Sequence, residues 1–382
     1  MQSTYRSPWL SDDLEAFTDS VRRFIRQRLV PHEDRWRAQH QGDRSAWLEV
    51  GEMGMILPDV PSEYGGADGS PAHTAVVLQE LQYAGVTGVG VSLSHIVGHY
   101  ILDSGTAEQK QHWLPKIASG EVICSIAMTE PGTGSDLQSI RTRAVRKGEH
   151  YVINGSKTFI SNGQLSDLVL LVARTDTEAK GSKGVSLILV DTRTEGFRRG
   201  KCLDKMGLPA QDTSEMFFDD CVVPADCVLG GVEGQGFYQL MQQLPFERAA
   251  CAIQCMADME RALDLTLEYT KERKAFGKSI FEFQNTRFTL ADVKATVTAS
   301  RTFCDLIIQR WVDGTLDSPL ASMGKFWLSE RQAEVLDKCL QFFGGYGYMN
   351  EYPIARMYAD ARVARIYGGS NEIQRELVAR SL

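Results

Sequence analysis

The sequence predicts an α+β fold, mostly α, laid out as a helical unit, a β unit and a helical bundle. Three observations predict it. Apolar residues recur at helical spacing up to about residue 120. Short runs rich in β-branched and aromatic residues follow, separated by turn signals. Helical spacing then returns near Gly231 and persists to the end. The expected domains are 1–120, 121–231 and 232–382. The β runs follow one another without intervening helical patterns, which disfavours a βαβ sheet.

In the first unit, DDLEAFTDSVRRFIRQRLVPHEDRW carries Leu14, Phe17, Val21, Phe24, Ile25 and Leu29 on one face, and Pro31 is expected to stop the helix. AHTAVVLQELQYAG and VSLSHIVGHYILDSG read as further helices, and TAEQKQHWLPKIASGE opens on Thr106 as an N-cap. PDVPSEYGGADGSP is a turn-rich loop. In the second unit, EVICSIAMTEPG, IRTRAVRKGEHYVIN, KTFISN, DLVLLVART, GVSLILVDT and SEMFFDDCVV read as strands. GGVEGQGF is the hinge to the third unit, whose long helices are expected over 237–272, 283–312 and 320–342. FFGGYGYMNEYP then turns into a last pair of helices.

Composition narrows the function. The 382 residues suffice for two or three packed units, and a net charge of −8 with no lysine-rich tract argues against nucleic acid as a partner. No apolar run approaches the roughly 20 residues a membrane span needs. The N-terminus lacks a hydrophobic signal core and reaches acidic residues early, so a cytoplasmic chain is expected. Eight scattered cysteines without a CxxC pair point to buried thiols rather than zinc. His95 and His99 have metal-ligand spacing, but without an HExxH glutamate a packing or hydrogen-bonding role is favoured and no metal is expected.

Several stretches carry chemistry. In QLMQQLPFERAACAIQCM, Phe237, Leu240, Met241, Leu244, Cys251, Cys255 and Met259 form an apolar stripe, with Glu247 at its edge and Arg248 near its middle. An acid and a base there fit either a buried ion pair or a carboxylate held in an apolar pocket to move a proton. AMTEPGTGSD follows a strand; Gly132 and Gly134 admit close backbone approach, and Thr129 and Ser135 supply hydroxyls. Alternation in KTFISNG puts Phe159 and Ser161 on one side, against a flat cofactor or in an ordinary half-buried strand. The four Lys/Arg residues of KERKAFGKSIFEFQ fit either a phosphate partner or a solvated helix end. In RIYGGSNEIQ, Ser370 or Asn371 can cap the last helix.

The order and spacing of these motifs do what none does alone. AMTEPGTGSDL, NGSKTFISNG, KMGLPAQDT, ERKAFGKSI, the FGGYGY turn with EYPIAR, and IYGGSNEIQ together resemble the acyl-CoA dehydrogenase flavoprotein family over essentially the whole chain. The resemblance implies an N-terminal helical domain, a middle β-barrel-like domain and a C-terminal four-helix bundle. It implies FAD as cofactor and α,β-dehydrogenation of a fatty acyl-CoA thioester. In such a reaction a carboxylate takes the α-proton while the β-hydrogen leaves as hydride to flavin N5.

Most members keep that carboxylate in an IYEG motif; here the stretch reads IYGG, with Gly368 in the acid's place. Long-chain and isovaleryl-type members carry the acid on the first helix of the C-terminal domain, and LPFER resembles that motif, making Glu247 the expected base. The resemblance implies that the Gly368 backbone N–H still binds the thioester carbonyl, with Ser135, Arg248 and Tyr367 at the substrate. It implies FAD contacts from Met128, Thr129, Gly134, Ser135, Phe159 and Ser161, with Ser370 and Glu372 nearby. Phe159 stands where many members have Trp. Arg273, Phe276, Gln284, Gln341 and Gly345 match a set that completes a neighbouring subunit's FAD site. A homo-oligomer, commonly a dimer of dimers, and electron-transfer flavoprotein as acceptor are implied. Competing expectations are an enzyme acting on carrier-protein-bound acyl groups and a non-catalytic flavin- or acyl-CoA-binding scaffold.

Overall fold

The computed structural model describes residues 5–179 and 181–382. Helix α1 (Asp12–Phe24) starts at Ser11, whose side chain accepts from the Leu14 N–H at 3.3 Å. The chain does not stop at Pro31. It continues through a π turn (Ile25–Leu29) and a 3-10 turn (Val30–His32) into α2 (Glu33–Gln39). Pro31 sits early in the 3-10 turn, where a missing N–H costs least. Then come α3 (Arg44–Glu52), α4 (Pro71–Ala84), α5 (Val91–Ser104) and α6 (Ala107–Ala118). Thr106 caps α6, accepting from the Gln109 N–H.

Seven strands follow: β1 (Cys124–Ala127), β2 (Arg143–Lys147), β3 (His150–Ser161), β4 (Leu168–Arg174), β5 (Val185–Asp191), β6 (Phe197–Cys202) and β7 (Thr213–Pro224). They form one sheet in the order β1-β4-β2-β3-β7-β6, with β5 paired to β4. β4 and β5 read as continuous apolar runs because both of their faces are buried. Leu168, Leu170, Leu187 and Leu189 pack with the N-terminal helices, while Val169, Leu171, Ile188 and Val190 fill the sheet's own core. HYVIN and KTFIS, expected as separate strands, are one strand with register slips after Ile153 and after Lys157. β6, in the basic run FRRGKC, is a strand that the turn-and-alternation reading passed over.

The last part opens on α7 (Gly236–Glu272), 37 residues long, with Pro245 inside it. Next is a small hairpin of β8 (Lys274–Ala275) and β9 (Lys278–Ser279). Its two turn residues, Phe276 and Gly277, have φ of 52° and 82°. This basic stretch is therefore the end of α7 followed by a hairpin. Helices α8 (Gln284–Val312), α9 (Ser318–Phe342), α10 (Pro353–Ala361) and α11 (Asn371–Ala379) complete the bundle. Along α7, Leu240 and Phe246 belong to the N-terminal core, whereas Ala249 and the residues after it belong to the C-terminal one. Glu247 falls at the seam. No helix among the described residues is long and apolar enough to cross a membrane.

Candidate active site

The seam is built from α5, α7, α9 and the turn before α11. Glu247 reaches across to α5, where the Tyr100 hydroxyl donates to its Oε1 at 2.9 Å. Burial is the main influence on its carboxyl and raises the pKa; the Tyr100 hydrogen bond and the Arg248 charge oppose it. Arg248 does not form the ion pair that its position allowed. It is 4% exposed, and its Nη1 donates to Ser318 Oγ at 2.9 Å and Ser322 Oγ at 3.2 Å on α9. The structure thus assigns Arg248 to α9 packing, with its Nε buried and unpartnered.

One turn beyond Glu247 on the same face, the Cys251 thiol donates to the Ala364 carbonyl at 3.9 Å. This contact brings α7 against the stretch holding Tyr367 and Gly368. Gly368 has a φ of 62°, and a Cβ there would meet nothing within 4 Å. A side chain at 368 is disfavoured by backbone conformation, while the space that a Cβ would take is open. Lys325 is fully buried on α9 and anchors this turn, donating to the Gly369 carbonyl at 2.8 Å and to Asn371 Oδ1 at 3.0 Å. Ser370 is the N-cap residue of α11, without a capping bond from its side chain to the helix backbone. Asn371 turns inward to Lys325 and Ser329 instead of capping. Glu372 is exposed in the first turn, where backbone N–H and the Ser370 hydroxyl lower its pKa.

A second group gathers at the end of β3. Lys157 is buried, with Nζ donating to the Met128 carbonyl and to Glu130 Oε1, both at 2.9 Å. The Thr158 N–H donates to the Thr129 carbonyl at 3.0 Å. These bonds tie the 128–135 loop to the strand. Simple alternation fails here, because the register slips and Phe159 takes a φ of 60°. The result leaves the Phe159 ring 68% exposed next to a loop whose Gly132 and Gly134 have open space around them. Ser135 is exposed and Ser161 half-buried. A large aromatic held in a strained conformation and left in solvent fits a face built for a flat cofactor.

The third group is separate in sequence and lies in the bundle. Arg273 and Gly345 line one cavity of about 380 Å³ with Tyr269, Phe343, Tyr346 and Met349. The Arg273 guanidinium lies 5.8 Å from the Tyr346 ring centre. Phe276 is 95% exposed on the hairpin tip, and Gln284 and Gln341 are exposed at the start of α8 and the end of α9.

Two groups escaped the sequence reading. Tyr100 lies 147 positions from Glu247, and no motif marks it. Asp59 joins the histidine pair: its Oδ1 is 2.8 Å from His95 Nε2 and 3.2 Å from His99 Nε2. The three ligating atoms lie within 4.8 Å of one another. His95 Nε2 is also 2.9 Å from Thr74 Oγ1, and both rings pack on Phe246, so hydrogen bonding and packing account for this cluster.

Comparison with known proteins accords with the three-part fold. Three family models match: the acyl-CoA dehydrogenase N-terminal domain over residues 11–121, the middle domain over 125–221 and the C-terminal domain over 234–382. The chain is 45% identical to the mitochondrial long-chain specific acyl-CoA dehydrogenase of Mus musculus over 374 residues, covering 97% of this chain and 87% of that protein. A crystal structure of an acyl-CoA dehydrogenase from Geobacillus kaustophilus superposes with a TM-score of 0.96 at 43% identity, covering 98% and 99% of the two chains. A glutaryl-CoA dehydrogenase from Mycobacterium smegmatis, solved in complex with FADH2, gives 0.91 at 26% identity over 97% and 95%.

Proposed function

Because this chain belongs to the acyl-CoA dehydrogenase family, we propose that it converts a fatty acyl-CoA to the trans-2-enoyl-CoA with Glu247 as its base. The chain is an oxidoreductase of CH–CH groups and its cofactor is FAD. The observation that carries the reading is the Glu247 carboxylate at the seam of two cores, where burial keeps it basic, one helical turn before Cys251, which contacts Ala364 shortly ahead of the Gly368 turn.

Glu247 takes the α-proton. As the proton leaves, negative charge grows on the thioester oxygen, and the Gly368 N–H supplies a fixed donor for it. FAD held beside this site would supply the acceptor for the β-hydrogen and its electron pair. The α–β double bond forms from the electrons of the broken α-C–H bond, so atoms and electrons balance. Tyr367 borders the acyl cavity and Ser135 the thioester. Met128, Thr129, Gly134, Ser135, Phe159 and Ser161 hold the isoalloxazine side, with Ser370 and Glu372 close by. Arg273, Phe276, Gln284, Gln341 and Gly345 serve the FAD of a neighbouring copy, which makes the working form at least a dimer and fits a dimer of dimers. The exposure of Phe276 supports that role. Segments 1–120, 121–231 and 232–382 act as the three domains of a cytoplasmic enzyme that passes electrons to an electron-transfer flavoprotein.

Anaerobic flavin reduction across a panel of acyl-CoA thioesters of increasing length tests this. Fast reduction by long-chain substrates is expected, with matched carrier-protein thioesters slower. Faster reduction by the carrier-bound forms would assign the other thioester class. Glu247→Gln is expected to keep FAD and to slow reduction by roughly 10²–10⁴-fold. Normal reduction in that variant would remove Glu247 as the base.

A further inference from the structure

A carboxylate on a flexible side chain is an effective base only if one oxygen is held where the proton will be. In Glu247 the two oxygens are not equivalent. Oε1 accepts from Tyr100, and among the described residues nothing else hydrogen-bonds the carboxylate. Tyr100 is itself immobile: it is fully buried on α5 between the buried Val97 and Ile101. α5 is fixed in turn at Gly98, where a Cβ would come within 2.6 Å of Leu57 Cδ2. Burial and the neighbouring carboxylate keep the phenol protonated, so it acts only as a donor here.

We propose that Tyr100 is the positioning residue of the base: its phenol holds Oε1 of Glu247 and leaves Oε2 as the atom that meets the α-proton. This rests on the reading of Glu247 as the base. The phenol also tunes basicity, since its hydrogen bond favours the charged carboxylate and counteracts burial. The other ionisable groups around this turn are already engaged. Arg248 is bonded to α9, His99 to Asp59, and Asp103 accepts from Gln243. Lys325 lies further along α9 on the Gly369 turn.

The experiment uses the FAD-loaded enzyme. The C=O stretch of the protonated Glu247 carboxyl, assigned by its loss in Glu247→Gln, is titrated by infrared difference spectroscopy without substrate. Tyr100→Phe keeps the ring and removes the hydroxyl, and the midpoint should rise by about one to two pH units. The acid limb of kcat/KM should move the same way, with kcat down about tenfold and KM nearly unchanged. Replacing Tyr100 by 3-fluorotyrosine makes the phenol a stronger donor, and the midpoint should fall. This substitution preserves the packing if Tyr100→Phe does not fold. An unmoved midpoint and acid limb, with Glu247→Gln inactive, overturns the role of Tyr100 alone. An active Glu247→Gln overturns the base assignment beneath it.

Discussion

Two carboxylates rest against α5 and meet opposite fates. Asp59 accepts from two imidazoles, one turn apart on that helix, and their charges and hydrogen bonds outweigh its burial and hold its pKa well below the usual range. Glu247 accepts from one neutral phenol, and burial wins, so its pKa is raised. Burial is common to both; the number and charge of the donors differ. A buried carboxylate with two imidazole donors, one of which it holds toward the charged form, is a structural anion, and one left nearly unsupported is ready to take a proton.

The largest effect that separates them comes from the matching amide swap. Asp59→Asn removes the charge that the two imidazoles share and should cost about 1.5–3 kcal/mol in denaturant unfolding. Glu247→Gln should run the other way. A raised carboxyl pKa means that the folded state prefers the protonated group, so its stability is greatest below the unfolded value and is lost as pH rises through the folded one. Above the unfolded value the raised pKa therefore opposes folding, and the neutral amide should raise Tm at neutral pH. If both swaps moved Tm in the same direction, donor count would not be what distinguishes the sites.

Sequence periodicity carried the fold further than it carried the site. The helices at 236–272, 284–312 and 318–342 fall within two residues of expectation because each buries a continuous stripe. Phe159 was legible as a residue but not in direction, since a register slip, which depends on the partner strand β7, overrides alternation. Glu247 stood out as an acid on an apolar face. Tyr100 and Asp59 did not, because each acquires its meaning only when α5 is laid against α7 and against the loop before α4. The direction of Arg248 was equally hidden, because it is set by two serines on α9.

A smaller effect is confined to pH. Burial alone would lower the pKa of His99, but the hydrogen bond and charge of Asp59 raise it. A raised imidazole pKa contributes stability that is fully present below its unfolded value of about 6.5 and is lost as pH rises through the folded value. His95, more deeply buried, is shifted downward and titrates in the opposite sense. His99→Gln removes this contribution together with the His99 charge that helps lower the pKa of His95. The substitution should cost more stability at about pH 6 than at about pH 9. A pH-independent cost would mean that His99 acts by packing on Phe246 alone.

The smallest effect tests the other side of the contrast, the separation of Arg248 from the carboxylate beside it in sequence. Ser322→Ala removes the longer of the two hydrogen bonds to its Nη1 and leaves the Ser318 bond at 2.9 Å. One buried donor loses one partner, so the cost should be about 0.5–1.5 kcal/mol in chemical unfolding. The guanidinium stays charged and stays on α9, so the Glu247 midpoint should not move. Were the midpoint to fall, the loosened guanidinium would have swung toward the carboxylate as an added cationic donor. The two sites would then differ by where α9 holds one cation and not by what α5 provides.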